Sequence, residues 1–504
     1  MRSAWGLSCA LLLAGCASDP SGTHDAAQTA SFTTPFVGLE TTSGPRDERS
    51  ALIANSEGAH RAAVAAFRTE GRERVLAVFR DPHASENPDG SAMVFARSDD
   101  GGSHWTSAPV PVLVSALSGP MIAEPTLAVS PVLNDRGGTE VYFAAVASVP
   151  SLPSALHREI VISRSVDGGQ TFLPAIVAAA PRVTDRFQTA DHPSLAVDAA
   201  GHVHLVFVAD AGLPTEGLRH WIGYPNSTAC GYSCMWWQPQ TEAIDPDMDR
   251  LPVSGVLVRT MRNALYIVYE QVAPIDGDPD TGFARIVSLR FDPFMRTWVH
   301  TTEQPSRGRW FRVPVLAQGL TGRISAGRHV DFGFVGETAW ITWSEIGSDA
   351  STMLIAQSFD FIDVLEERWN DSDIVVTTPA GTRVMQPTLA IRGDSIPTVS
   401  WFEQRDGTSA TALFGSVRSG SGDSPWSTPR DLASIGSGAG HQAGGCADAT
   451  PWVDQLAAIG LGGTTPMTLT IHAQQTCAGG SLSADTLTAT RWVEPGVSTA
   501  PNSN

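Results

Sequence analysis

The chain has 504 residues, a formal net charge of −19 and a hydrophobic content of 42%, enough for a large core under an acidic surface. All 33 of its Lys and Arg positions are arginine, which excludes lysine Schiff-base chemistry and the lysine of phosphate-binding loops. The acid excess argues against nucleic acid and anionic lipid surfaces as partners.

In chain order, Arg2 precedes an apolar run centred on Ala10, Leu11, Leu12 and Leu13. The run is too short to cross a bilayer as a mature helix, so residues 1–15 read as an export signal. Leu13-Ala14-Gly15-Cys16 resembles the bacterial lipobox, which implies a lipidated Cys16 as the new amino terminus; an ordinary cleaved signal is the alternative. Ala17, where an inner-membrane retention aspartate would sit, favours the outer membrane or cell surface. Residues 16–35 read as a flexible tether and 495–504 as a disordered tail. The body is expected to touch the membrane only through its lipid and to be a monomer.

Between residues 36 and 494 a phrase recurs with a period of roughly 60 to 70 residues. Its first strand follows a proline, as in Glu124-Pro-Thr-Leu-Ala-Val129, His192-Pro-Ser-Leu-Ala-Val197 and Gln386-Pro-Thr-Leu-Ala-Ile391. Second strands are expected at 75–79, 141–145, 203–207, 265–269, 340–343, 399–401 and 467–471. Each is followed by a polar loop, a third strand, a turn and an aromatic that starts a fourth. Counting second strands gives seven units, with six as the alternative. Short four-stranded antiparallel units cannot bury both faces alone, and closure into an all-β propeller solves that. The strand-like Pro35-Phe36-Val37-Gly38-Leu39 is expected to complete the last unit.

Two of the turns share one pattern: Ser98-x-Asp100-x-Gly102 with Trp105, and Ser165-x-Asp167-x-Gly169-x-Thr171-Phe172. Asp-Gly suits a tight turn, because Asp bonds its own backbone and Gly accepts positive φ. The pair resembles the Asp-box repeat of sialidase-like β-propellers, and in that setting the boxes are structural. The resemblance implies a ligand face on the opposite rim, made by the second-to-third strand loops and the inter-unit connections. A sialidase needs three arginines for the substrate carboxylate, a tyrosine nucleophile with a glutamate, and an aspartate acid/base. Here no tyrosine lies beyond Tyr269, and the family's early Arg-Ile-Pro is missing: Arg61 stands near its place, and Phe311-Arg312-Val313-Pro314 is the better match. Weak catalytic candidates are Asp81 and the pair Tyr269 and Glu270, although neighbours on a strand point to opposite faces. Ligand-binding candidates are Arg80, Arg309, Arg312, Arg323 and Arg328, with solvated loop charges as the plainer reading.

Two aspartate triplets, Asp245, Asp247, Asp249 and Asp276, Asp278, Asp280, present hard oxygens that suit Ca²⁺. His202 and His204 share one strand face but lack a third ligand, so they read as structural. Once Cys9 leaves with the signal and Cys16 takes lipid, Cys230, Cys234, Cys446 and Cys477 remain; pairing 230 with 234 and 446 with 477 gives two disulfides. The resulting expectation is an envelope lipoprotein whose propeller binds an extracellular ligand, a glycan by the resemblance. The alternatives are a sialidase-type exo-glycosidase and a protein-interaction scaffold. Calcium at the triplets predicts that a chelator lowers the thermal midpoint of the mature domain; an unchanged midpoint removes the ion.

Overall fold

In the computed structural model the described residues are the strands between 49 and 492, the tight turns that join many of them and a few flanking positions. They form strands and turns, with no helix among them.

A strand β1 (Arg49–Asn55) precedes the first meander, which runs β2 (His60–Thr69), β3 (Arg72–Arg80), β4 (Met93–Ser98) and β5 (Thr106–Pro109). The next is β6 (Met121–Leu133), β7 (Thr139–Ser148), β8 (Arg158–Ser165) and β9 (Ile176–Ala179). It is followed by β10 (Ala190–Val197), β11 (Val203–Ala209), β12 (Gly217–Pro225) and β13 (Met235–Gln240). Then come β14 (Val253–Met261), β15 (Ala264–Ile275), β16 (Asp278–Asp292) and β17 (Thr297–His300). A short β18 (Phe311–Pro314) bridges this meander to β19 (Val330–Val335), β20 (Thr338–Ile346), β21 (Thr352–Asp363), β22 (Glu366–Trp369) and β23 (Asp373–Thr378), making one ten-stranded sheet. The next sheet is β24 (Thr382–Ile391), β25 (Pro397–Arg405), β26 (Thr411–Val417) and β27 (Arg430–Ile435). The last holds β28 (Ala457–Leu461), β29 (Met467–Ala478) and β30 (Ser481–Trp492).

Every expected second strand lies in the second strand of a meander: β3, β7, β11, β15, β20, β25 and β29. They are apolar on both faces because each face meets a different neighbour. In β3, Val75, Ala77 and Phe79 pack with Leu469, Ile471 and Leu487 of the last sheet, while Leu76 and Val78 pack with Val141, Phe143 and Ala145 of the second. The same alternation links second to third, third to fourth, and so on to the contact of Trp492 with Phe402 and Leu413. First strands touch in the same order, β2 to β6 to β10 to β14 to β19 to β24 to β28, and β28 returns to β2. The sheets thus form a closed propeller whose first strands surround an axis.

The sequence places the closing strand too early. Residues 35–39 lie outside the described residues, and β1 occupies the outer place on β30, from Arg49 opposite Arg491 to Asn55 opposite Thr486. A strand from the amino terminus thus completes the sheet that ends the chain, and the outer edge of β30 is paired with it.

Both Asp boxes close the turn between third and fourth strands with the same bonds. Ser165 Oγ donates to Asp167 Oδ1 at 2.8 Å and accepts from Gly169 N at 2.7 Å, and Asp167 Oδ1 also accepts from Gln170 N and Thr171 N. Ser98, Asp100 and Gly102 repeat this, and Trp105 Nε1 donates to Gly102 O at 3.1 Å. Burial alone would raise the Asp100 carboxyl, but bonds from the His104 side chain and backbone and from Ser98 hold it below its ordinary value.

The boxes also fasten one sheet to the next. Arg74 of the first sheet pairs with Asp99 and donates to Gly168 O of the second box at 2.8 Å. A Cβ on Gly169, whose φ is +76°, would lie 2.3 Å from a methyl of Leu76. One on Gly102, φ +88°, would lie 2.9 Å from a methyl of Leu469. The final box glycine is therefore fixed both by its conformation and by the leucine of the preceding sheet.

Gly169→Ala is expected to cost about 1–3 kcal/mol in denaturant unfolding, from left-handed backbone plus collision. Gly137→Ala has the same sign of φ (+74°) and nothing within 4 Å, so it should cost only the backbone part. Equal costs for the two would remove the inter-sheet role.

Candidate functional site at the axial mouth

In an up-and-down meander, first strands begin at the rim opposite the third-to-fourth turns, so the boxes mark one rim and the starts of the first strands the other. At that second rim the strand pairing is broken repeatedly. In β2, β6, β10 and β24 three residues on the first strand span two on its partner: His60 to Ala63, Ala123 to Thr126, Asp191 to Ser194 and Met385 to Thr388. A bulge of this kind re-aims side chains next to a site.

Three of these bulges contain the residue before the repeat's proline, and it has positive φ each time: Glu124 (57°), His192 (51°) and Gln386 (48°). A residue before proline is driven toward extended backbone, so a left-handed Glu, His or Gln there is held by its surroundings at a cost of about 1–3 kcal/mol. Arg61 occupies the corresponding register position in β2. Sequence reasoning used the prolines to find the repeat and passed over the residue in front of them. The available signal was that Pro-x-Leu-Ala stays constant while its predecessor changes among polar types.

Glu124 and His192 meet across two sheets. The Glu124 carboxylate accepts from His192 N at 2.6 Å and pairs with His192 Nδ1 at 3.0 Å, with the side chains 21% and 31% exposed. This bond fixes the imidazole's orientation and gives Nδ1 the proton. The preceding residue, Asp191, is buried and accepts from Arg158 Nη1 at 2.7 Å. At the same rim, where second strands end, Trp401 Nε1 donates to Glu403 Oε1 at 3.0 Å, and Trp343 Nε1 stands 3.5 Å from Glu345 Oε2.

Below the bulges lies an axial cavity of about 100 Å³, lined from all the first strands and including Thr126, Ser194, Arg259, Asp331, Gln386 and Thr388. Asp331 is engaged on both oxygens: Oδ1 accepts from Phe332 N, Oδ2 accepts from Thr388 Oγ1 and Leu389 N, all at 2.8–2.9 Å, and Arg259 Nη2 stands 3.9 Å from Oδ1.

The candidates from sequence are dispersed. Tyr269 is fully buried in the core between the third and fourth sheets. Glu270, also buried, follows it on the alternate face. Arg312 lies on β18, opposite Phe283 of β16 and Ile346 at the end of β20, at the rim where second strands end, and β18 touches the first strand β24. Arg80 ends β3 opposite His60, and Asp278 and Asp280 begin β16. Cys477 lies on β29 opposite Leu482. Asp81, Arg309, Arg323, Arg328, Asp245, Asp247, Asp249, Asp276, Cys16, Cys230, Cys234 and Cys446 lie outside the described residues.

His202 and His204 both reach Asp198 Oδ2, at 3.1 and 3.2 Å, and His204 Nδ1 bonds His220 Nε2 at 3.0 Å. No cluster of His, Cys, Asp and Glu among the described residues could hold a metal. The chain of groups sits near the box rim, and His220 is packed against Phe291 and Trp298 of the next sheet. Burial opposes the Asp198 charge, but the His204 and His202 bonds prevail and hold its carboxyl at about 2. Burial, with His204 beside it, pushes the His220 imidazole well below its ordinary value.

No protein-family model matches the sequence, and no curated protein matches it. Among solved structures it is similar to an alpha-L-arabinanase of Penicillium chrysogenum complexed with arabinobiose, with 14% identity, 70% of this chain and 94% of that chain covered, and a TM-score of 0.40. It is also similar to the Hadza microbial sialidase Hz136, with 11% identity, 80% and 74% covered, and a TM-score of 0.38. The parainfluenza virus 5 hemagglutinin-neuraminidase ectodomain shows 7% identity, 77% and 85% covered, and a TM-score of 0.36. At such values the chemistry rests on this chain's own residues.

The two pKa shifts have a definite sign. His220 is depressed in the folded state, so below about pH 6.5 the unfolded chain takes a proton that the folded one refuses, and stability falls. Asp198 is depressed too, so its contribution is present above about pH 4 and is lost toward pH 2. Denaturant unfolding at pH 7 and pH 5 should show lower stability at pH 5, with a slope approaching about 1.4 kcal/mol per pH unit from His220. His220→Phe should flatten that slope; an unchanged slope would assign it elsewhere.

Proposed function

We propose that the protein is an exported, lipid-anchored β-propeller of seven blades that binds a glycan at its axial mouth. The ten-stranded sheet is read as two blades bridged by β18. The observation that carries the binding reading is the set of polar residues held left-handed before proline, Glu124, His192 and Gln386, of which Gln386 lines the cavity, Glu124 immediately precedes the lining residue Pro125 and His192 lies two before the lining residue Ser194. Backbone strain that recurs at one repeat position, under side chains of different chemistry, fits ligand contact better than packing. Carboxylates, an imidazole and an amide at one mouth suit the dense hydroxyls of a sugar, each able to donate and accept. Lipidation at Cys16 would place this mouth at the cell surface. A glycan ligand is also what the Asp-box resemblance implies, and fold likeness alone licenses the scaffold, not an activity.

Among the described residues the nucleophile candidate for a sialidase-type route, Tyr269, is enclosed in the core, which favours the binding reading. Purified mature protein on a glycan array should give a discrete signal, weakened at least about tenfold by Glu124→Gln, because that change breaks the charge-assisted bond orienting His192. A blank array with hydrolysis of a fluorogenic sialoside would replace binding by catalysis. Silence in both, with envelope proteins co-purifying, would favour a scaffold.

A further inference from the structure

Five large apolar side chains are exposed among the described residues: Val132, Leu133, Phe283, Val299 and Ile374. Single exposed apolar residues are ordinary on a protein surface, and the last three stand singly. Val132 and Leu133 are neighbours, 40% and 62% exposed, with an exposed Pro131 before them. They form the tip of the β6–β7 hairpin on the box rim. In the third meander the corresponding hairpin turns directly after Val197 pairs with Val203. In the second, β6 runs on past Val129, the partner of Val141, to Leu133 opposite Thr139. The apolar residues therefore stand on a projection.

That projection is braced. Ser130 Oγ donates to Val132 O at 2.8 Å and accepts from Val132 N at 3.1 Å. Asn134 Oδ1 accepts from Arg136 N and Gly138 N, and Asn134 Nδ2 donates to Val166 O of the second box at 2.9 Å. Gly168 N of the same box donates to Thr139 O. Turning Val132 and Leu133 inward would break this frame, so their exposure is built into the hairpin.

The amino-terminal chain joins the propeller on the same rim. Arg49 opens β1 opposite Arg491, which pairs on its other side with Leu469, and the methyls of Leu469 close on Gly102 of the first box. From Cys16 to Arg49 the chain spans at most roughly 110 Å at about 3.3 Å per residue. A lipid on Cys16 would keep the box rim within that reach of a bilayer, and a contact too weak to hold a free protein becomes populated under such tethering. Two aliphatic side chains and a proline suit the acyl boundary, and the net charge of −19 weighs against anionic headgroups.

We propose that the β6–β7 tip docks on a bilayer of uncharged headgroups, with Val132 and Leu133 entering the acyl boundary, so that the box rim faces the membrane and the axial mouth faces away from it. This rests on the lipid anchor proposed above and is independent of what the mouth binds. The body of the protein, and not the lipid alone, then touches the membrane.

The test places an environment-sensitive fluorophore at Arg136→Cys, in the same turn, on the lipidated full chain inserted in phosphatidylcholine vesicles. Ser348→Cys, in the exposed turn between β20 and β21 on the mouth rim, is the comparison, and the wild-type chain treated alike is the blank. The expected result is a blue shift and quenching by nitroxide-labelled phosphatidylcholine at Arg136→Cys, and neither at Ser348→Cys. Adding Leu133→Asp should abolish the shift and the quenching while the protein still floats with the vesicles. Leu133 and Val132 are exposed, so their substitution should leave the thermal midpoint unchanged, and Val132→Asp repeats the test at the neighbouring position. Equal quenching at both labels, or quenching that survives both aspartate substitutions, would overturn the proposal. A shift that needs no vesicle and grows with protein concentration would assign the tip to a second copy of the chain and overturn it as well. Flotation separates the two readings: a chain that floats with Arg136→Cys unquenched keeps its anchor and loses the docking, whereas a chain that does not float loses both.

Discussion

The structure depends on sheets that are apolar on both faces and so cannot stop stacking until they meet themselves. Val75, Ala77 and Phe79 require a partner on one side of β3, and Leu76 and Val78 require another on the other side. A linear stack would leave one such face in water at each end. Burial is worth roughly 25 cal/mol per Å² of apolar surface, so closure is where the largest unsatisfied faces disappear together. The cluster joining Phe79 and Trp105 to Leu469, Ile471 and Leu487 is the closing interface.

Polar bonds then set the spacing of what apolar packing brings together. Glu73 accepts from Gly462 N across the same seam, as Arg74 donates to the second box across the next. Further round, Thr398 and Ser400 hydroxyls meet Thr468 and Thr470. These contacts lie where a sliding sheet would otherwise find little resistance, since apolar burial is not directional. With one rim fixed, the first strands are free to bulge at the other. There the strained backbone at Glu124, His192 and Gln386 is offset by the sheets that flank it.

Much of this was legible in the sequence. Continuous apolar runs located the second strands, and Ser-x-Asp-x-Gly located the box turns, because both rest on local chemistry. The closing strand was misplaced because Pro35-Phe36-Val37-Gly38-Leu39 and the Ala51-Leu52-Ile53-Ala54 core of β1 look alike locally, and only pairing with β30 separates them. The site was missed for a related reason. Charge and catalytic precedent drew attention to arginines in loops and to Tyr269. The distinguishing property of Glu124, His192 and Gln386 is a backbone angle, which no residue type announces.

The central claim is that the amino-terminal strand closes the ring on β30. Cysteines at Asn55 and Thr486, opposite one another in the β1–β30 register, test it most directly. Directly paired antiparallel residues have Cα atoms about 4.5–5.5 Å apart, inside the range a disulfide spans. The account predicts a rapid intramolecular cross-link on oxidation of the dilute protein and a raised denaturation midpoint in the oxidised form. No cross-link, or one that forms only between molecules, would contradict it.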